Sequence, residues 1–424
     1  MVIPTRCGRC STFLAQPRTQ PLRTGEQLSG RTFLIALSSS ALTLVVVLAV
    51  SNLKGSEKKI ERRLERLYSI DDPQFRRSMD HLLGPPVLDG NHVEVLVNGD
   101  RIFPAMLEAI RGAQKTITFE TFIYWSGSIG QEFVEALSER ARAGVKTHVM
   151  LDFVGSIKME LQSIEAMRSA GVEVQRYHKP VWWHLGRLNN RTHRKTLVVD
   201  GTIGFTGGVG IADNWRGNAQ DPEHWRDTHF RVQGPVVAQM QSVFIDNWIQ
   251  STGRVLHGPL YFPPLEGSGD MDAQMFRSSP TGGSESMQLM YLMAITAAER
   301  TIHLSSAYFV PDKLATMALA AAAKRGVDVR IIVPGTNIDT EIVRKASRGL
   351  WGPLLEAGVM IAEFQPTMFH VKALVVDSRM VSVGSTNFDN RSFSINDEAN
   401  LNVFNQAFAE EQELIFEADW KLSR

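Results

Sequence analysis

Two cysteines in 424 residues, Cys7 and Cys10, exclude a disulfide framework as the source of stability. The fold has to rest on its apolar core. The pair also lacks a second pair to complete a four-ligand zinc site, and is read as carrying no chemistry. Net charge is missing too: 45 Lys and Arg stand against 45 Asp and Glu, so no overall field gathers a polyanion and no nucleic-acid partner is expected. With 43% hydrophobic and 21% charged residues, the composition excludes disorder, collagen and coiled coil as a description of the whole chain. The length suggests two to three domains of roughly 150 residues.

The zero net charge is unevenly made. Residues 1–31 form a basic tail, with Arg6, Arg9, Arg18, Arg23 and Arg31 against Glu26. Residues 54–82 carry eight basic and six acidic side chains, which leaves residues 83–424 at a net −6. Between the basic stretches Thr32–Leu53 is free of charge for 22 residues, and as a helix it spans about 33 Å at ~1.5 Å per residue, enough to cross a bilayer's hydrocarbon core. It is read as a retained transmembrane anchor. A signal-peptide core or a buried soluble helix are the alternatives, but the charged run "KGSEKKIERRLERL" follows it like a stop-transfer flank. Arg18, Arg23 and Arg31 precede the segment, whereas Lys54, Lys58, Lys59, Arg62, Arg63 and Arg66 follow it. This bias puts the C-terminal body on the cytoplasmic side of the cell (inner) membrane. Residues 54–89 read as an amphipathic linker, either lying on the membrane surface or solvated.

Beyond residue 90 the chain repeats itself. "AQKTITFETFIYWSG" (113–127) answers "AERTIHLSSAYFVPD" (298–312), "ARAGVKTHVMLD" (141–152) answers "AKRGVDVRIIVP" (323–334), and "MRSAGVEVQRY" (167–177) answers "LLEAGVMIAEF" (354–364). The last two pairs read as a helix closed by glycine (Gly144, Gly326, Gly171, Gly358) and followed by a β-branched strand, the αβ unit of a layered α/β domain. A nearly constant offset means duplication. The expected organisation is two similar α/β domains, 90–256 and 271–424, packed face to face and joined by the Pro- and Gly-rich connector 257–270.

Both halves carry His-x-Lys followed by Asp: "HRKTLVVD" with His193, Lys195 and Asp200, and "HVKALVVD" with His370, Lys372 and Asp377. On an extended strand His and Lys two apart share a face, so an imidazole and an ammonium meet one ligand. The Asp falls at an odd offset beside a turn dipeptide and is assigned a supporting role. Gly207 and Gly208 follow the first motif, and Gly384, Ser385 and Asn387 the second. Bare amides, a hydroxyl and a carboxamide beside a lysine suit a phosphate. Where the second motif has Asn387 the first has Gly210, a gap to be filled by Asn214 or a water, or a sign that the two histidines differ in role. His148, His178, His184 and His303 lack a repeated context and read as ordinary core or surface residues. Trp182 and Trp183, beside Arg187 and Arg191, either line a lipid entrance or simply pack.

These motifs resemble the phospholipase D superfamily, whose duplicated His-x-Lys-x4-Asp elements meet at one site. "YFVPD" (308–312) and "GSTNFDNRSFSINDEANL" (384–401) are most similar to the bacterial cardiolipin synthases. The resemblance covers about residues 90–424. It implies phosphatidyl transfer between two phosphatidylglycerol molecules through a phosphohistidine, without metal or other cofactor. One of His193 and His370 would attack phosphorus and the other protonate the departing glycerol. Lys195 and Lys372 would offset oxygen charge, and Asp227 and Glu398 would each hold a histidine. A phospholipase D hydrolase on the same site is the nearest rival; a nuclease and a non-enzymatic scaffold are the others.

Overall fold

The structure is a computed structural model that describes residues 37–40, 43, 60, 62–177, 191–279 and 284–424. It divides into two compact units, residues 1–58 and 59–424. In the first, Leu37–Ser40 and Thr43 are helical. The rest of the expected anchor 32–53 lies outside the described residues, as do Cys7, Cys10, His178, Trp182, Trp183, His184 and Arg187. Among the described residues no helix is long and apolar enough to cross a membrane.

The second unit is a mixed α/β body built twice. The first half holds β1 (Leu88–Val97), β2 (Thr116–Thr121), β3 (Lys146–Asp152), β4 (Glu173–Tyr177), β5 (Thr196–Val199), β6 (Ile203–Gly207) and β7 (Thr228–Gln233). They run in the order β4-β3-β2-β5-β6-β7-β1. The second half holds β8 (Met271–Ser278), β9 (Thr301–Ser306), β10 (Phe309–Val310), β11 (Asp328–Pro334), β12 (Met360–Phe364), β13 (Lys372–Val376), β14 (Met380–Gly384), β15 (Phe388–Asp389) and β16 (Glu398–Phe404). Its main strands run β12-β11-β9-β13-β14-β16-β8, the same order element for element, with β10 and β15 paired separately. Strands such as "TITFET" and "TLVV" are buried along their whole length, as expected of β-branched runs covered on both faces. Gly144, Gly171, Gly326 and Gly358 close their helices at φ between +92° and +99°, a conformation that costs any other residue.

The halves meet differently from the expected face-to-face contact alone. β1 pairs antiparallel with β8 (Leu88 opposite Ala273, Asn91 opposite Met271), with an irregularity between, and continues antiparallel to β7. One strand therefore belongs to both edges and, among the described residues, the sheet runs through 14 strands. A shared apolar cluster adds the facing contact, with Val198, Phe230 and Val232 from the first half and Val375, Val381, Leu401 and Val403 from the second.

The segment 54–89 is corrected in part. Helix Pro73–Leu83 buries Phe75, Met79 and Leu83 in the core of the second half, with Met287, Met290 and Tyr291. Its apolar stripe at i, i+4 and i+8 faces protein rather than membrane or water. Asp72 starts it by accepting the Gln74 N–H at 2.8 Å.

Candidate active site

Each histidine sits just ahead of, or at the mouth of, an inner strand, and the two motifs are brought together where the halves join. Two parallel bridges make the join: Thr192 opposite Asp397, and Arg226 opposite Phe369. His193 N–H donates to Asp397 O and His370 N–H to Arg226 O, both at 2.8 Å. The backbone before each carboxylate thus holds the histidine of the other half.

The side chains cross in the same sense. His193 Nδ1 lies 3.0 Å from Glu398 Oε2, across 205 residues, and His370 Nδ1 lies 2.8 Å from Asp227 Oδ2, across 143. Histidines, lysines and carboxylates are all buried. With Nδ1 at a carboxylate, Nε2 is the nitrogen turned away from it on each ring; at His370 the Lys372 Nζ stands 3.3 Å from that Nε2. Lys195 Nζ donates to His193 O at 2.7 Å and Lys372 Nζ to His370 O at 2.6 Å, which folds each ammonium back over its own histidine.

Burial governs the electrostatics. It lowers His370 to about 4, with the Lys372 and Lys195 charges adding to it, and it lowers His193 in the same way despite Glu398. Lys195 falls to about 7 and Lys372 to about 8, again chiefly by desolvation, with Glu398 and Asp227 respectively opposing. Burial alone would raise the two carboxylates, but His370 holds Asp227 and His193 holds Glu398 below the ordinary range. Burial therefore favours neutral imidazoles, while the two carboxylates stay ionised beside the two lysines.

Asp200 and Asp377 stand away from this centre. Asp200 accepts the N–H groups of Gln114, Lys115 and Thr116 at 2.7–2.9 Å, and Asp377 those of Glu299, Arg300 and Thr301 at 2.7–2.8 Å. Both have φ near +54°, a left-handed turn that Asp tolerates. They pin the motif strand to the start of β2 or β9.

The small residues serve the carboxylates first. A Cβ on Gly208 would lie 2.3 Å from Asp227 Oδ1, and one on Gly384 2.3 Å from Ala399 O. Gly208 N–H donates to Thr228 O and Ser385 N–H to Ala399 O, so these amides are spent on the chain beside the carboxylate rather than held open as a phosphate cradle. Ser385 Oγ donates to Glu398 Oε2 at 2.6 Å. Gly207 closes β6 opposite His229. Asn387 is buried with its Oδ1 unpartnered. Opposite it in the repeat, the space at Gly210 is filled by Ile123, whose Cβ would be 2.6 Å from an added Cβ.

Sequence reasoning missed three supports. Trp215 Nε1 donates to Asp227 Oδ2 at 2.9 Å, and its ring stands edge-on to His370 at 5.3 Å. Arg226, ahead of Asp227, donates to both Asp419 oxygens at 2.9 and 2.7 Å. His229, two residues after Asp227 and so on its face, has an unpartnered Nδ1. The pattern "WRDTH" held all but Trp215, yet no spacing rule marks a residue that acts on a carboxylate. Among the described residues no three His, Cys, Asp or Glu converge on a metal position.

Residues 106–248 and 291–420 match the family described as cardiolipin synthase, PLD-like domain. A cardiolipin synthase A of Pseudomonas fluorescens is 36% identical over 349 residues, 82% of this chain and 72% of that protein. A cardiolipin synthase of Halalkalibacterium halodurans is 34% identical over 361 residues, 84% and 71% of the two chains. Among solved structures, phosphatidylserine synthase of Haemophilus influenzae shares the fold, with a TM-score of 0.64 at 13% identity over 83% of this chain and 91% of that one.

Proposed function

Because the chain belongs to the cardiolipin synthase family of phospholipase D-like proteins, we propose that it condenses two phosphatidylglycerol molecules into cardiolipin and glycerol. The observation that carries the reading is the pair of crossed His–carboxylate contacts sharing one buried centre with two lysines.

The first step forms a bond from one histidine's Nε2 to phosphorus and breaks the bond from phosphorus to the headgroup glycerol oxygen. The second histidine, protonated once substrate charge offsets the lysines, gives its Nε2 proton to that oxygen. It then takes the proton of the terminal hydroxyl of a second phosphatidylglycerol, which attacks phosphorus as the P–N bond breaks. General acid–base help of this kind is worth about 10²–10⁴-fold. Lys195 and Lys372 offset the equatorial oxygens' charge, and the carboxylates stabilise each imidazolium. No metal or other cofactor enters these steps.

The anchor 32–53 would hold the catalytic body at the cytoplasmic face of the membrane, where its lipid substrate lies; protease acting from that side and removing only the N-terminal tail would contradict this. The chemistry is tested by incubating the detergent-purified full chain with phosphatidylglycerol. Cardiolipin and glycerol in equal amounts are expected. Phosphatidic acid without cardiolipin would mean that water is the acceptor and would replace this reading with that of a hydrolase.

A further inference from the structure

The mouths of the two half-sites differ in chemistry. The short parallel pair β10–β15 places Phe309 opposite Phe388, and its counterpart in the first half is the bridge of Tyr124 and Ile211. Tyr308 therefore corresponds to Ile123, Asn387 to Gly210 and Asp389 to Ala212. The first half's rim is mainly apolar: Phe122 stands edge-on to His193 at 5.1 Å, Trp125 Nε1 donates to Gly155 O with Lys158 Nζ over its ring at 3.9 Å, and Val154, Ile157 and, at the start of the next helix, Leu161 are exposed. In the second half Tyr308 Oη donates to the Asp339 oxygens at 2.8 and 2.7 Å. Burial raises Tyr308 well above its usual range and Asp389 to about 6. Ser306, opposite Lys372 in the sheet, donates its hydroxyl to Tyr308 O at 2.7 Å and accepts Phe388 N–H at 2.9 Å, so the group adjoins the motif lysine. Asn387 Oδ1 beside them is buried without a partner. Within "YFVPD" Asp312 is spent as a helix cap through Ala315 N–H and Phe309 is core; Tyr308 alone presents a polar group at the site.

Lysines suit the phosphate, whereas carboxylates, a phenol oxygen and an amide oxygen are acceptors that repel a second phosphate and suit a ligand rich in hydroxyl donors. One carboxylate can accept from two vicinal hydroxyls. We propose that Tyr308, Asp339 and Asn387, with Asp389 capping the helix Asn390–Ser394 behind them through Ser392 N–H, form a polyol subsite that takes the free diol of a glycerol headgroup, leaving the mainly apolar rim of the first half to the diacylglycerol. The subsite rests on the phosphatidyltransferase reading and adds which acceptor the enzyme selects.

The test uses the full chain in detergent with phosphatidylglycerol as donor and equal concentrations of labelled glycerol and 1-propanol. Labelled phosphatidylglycerol and phosphatidylpropanol are counted for the wild type, Tyr308→Phe and Asp339→Asn. Both variants are conservative, and their thermal midpoints are checked against the wild type. Sites that bind a hydroxyl discriminate strongly against analogues lacking one, so the glycerol-to-propanol ratio should fall about tenfold or more in both variants. A ratio within twofold of the wild type in both would overturn the subsite. A wild type that forms neither product nor cardiolipin would instead overturn the transferase reading itself.

Discussion

Where the first half sets Thr192, Arg194, Asp152 and Tyr177 behind His193, the second sets Phe369, Val371, Pro334 and Phe364 behind His370. The correspondence is fixed by the motifs and by strand register, since Asp152 pairs with Tyr177 as Pro334 pairs with Phe364. The polar side is a buried network. Thr192 and Asn247 donate to Glu120, Tyr177 Oη to Asp397 at 3.0 Å, and Arg194, fully buried, to Val243 O and Asp246. The apolar side is a cluster of Ile332, Phe364, Phe369, Val371 and Phe416. A duplicated backbone keeps the histidine, lysine and turn Asp in both copies, while the layer behind them is free to be ionic or oily. The ionic layer is the more fragile, because removing one charge strands its partners away from water, whereas an apolar layer can repack.

The comparison breaks most visibly at the carboxylates. Asp227→Asn and Glu398→Gln should each lower kcat by about 10²–10⁴-fold in an initial-rate assay. If one were nearly silent, the halves would not serve each other's histidine equally. Next is the supporting layer: Arg194→Met should cost about 3–5 kcal/mol of stability and Phe369→Leu less than about 1.5 kcal/mol, as read by chemical denaturation. Similar costs would remove the distinction between the layers.

Titration sharpens it further. Burial raises Glu120 to about 7, against the opposing Arg194 charge. A raised carboxyl pKa means that the folded state holds its proton longer; the stability this brings is full below about 4.5 and is lost as pH rises through about 7. Glu120→Gln should therefore gain stability on the wild type as pH rises across that window. His370, lowered by burial to about 4, has the opposite sign: its contribution is present above about 6.5 and lost as pH falls through about 4. Lys195 and Lys372, at about 7 and about 8, should give kcat/KM a falling limb between those values. Smallest is the turn, where the halves agree. Asp200→Asn and Asp377→Asn should lose similar stability, about 1–3 kcal/mol each.

Much of this was legible in the chain. The paired His-x-Lys motifs, the glycines that end helices and the β-branched strands revealed the duplication, because each is a local pattern repeated at one offset. The crossed contacts were not, since His193 with Glu398 and His370 with Asp227 depend on how β1 passes from one half to the other. The amphipathic character of residues 54–89 was legible, but not that Phe75, Met79 and Leu83 pack into the core of the second half. Nor does spacing show that Ile123, just past the end of β2, occupies the space beside Gly210. Ser385 and Trp215 likewise bond the carboxylates through contacts that no spacing encodes.

The central claim is transfer by way of one histidine and back. Each in-line displacement inverts phosphorus, so two in succession leave its configuration unchanged. The direct measurement is the stereochemical course with phosphatidylglycerol made chiral at phosphorus by oxygen isotopes. Retention in the cardiolipin formed is the predicted result, and inversion, the mark of a single direct attack by the second lipid, would contradict the account.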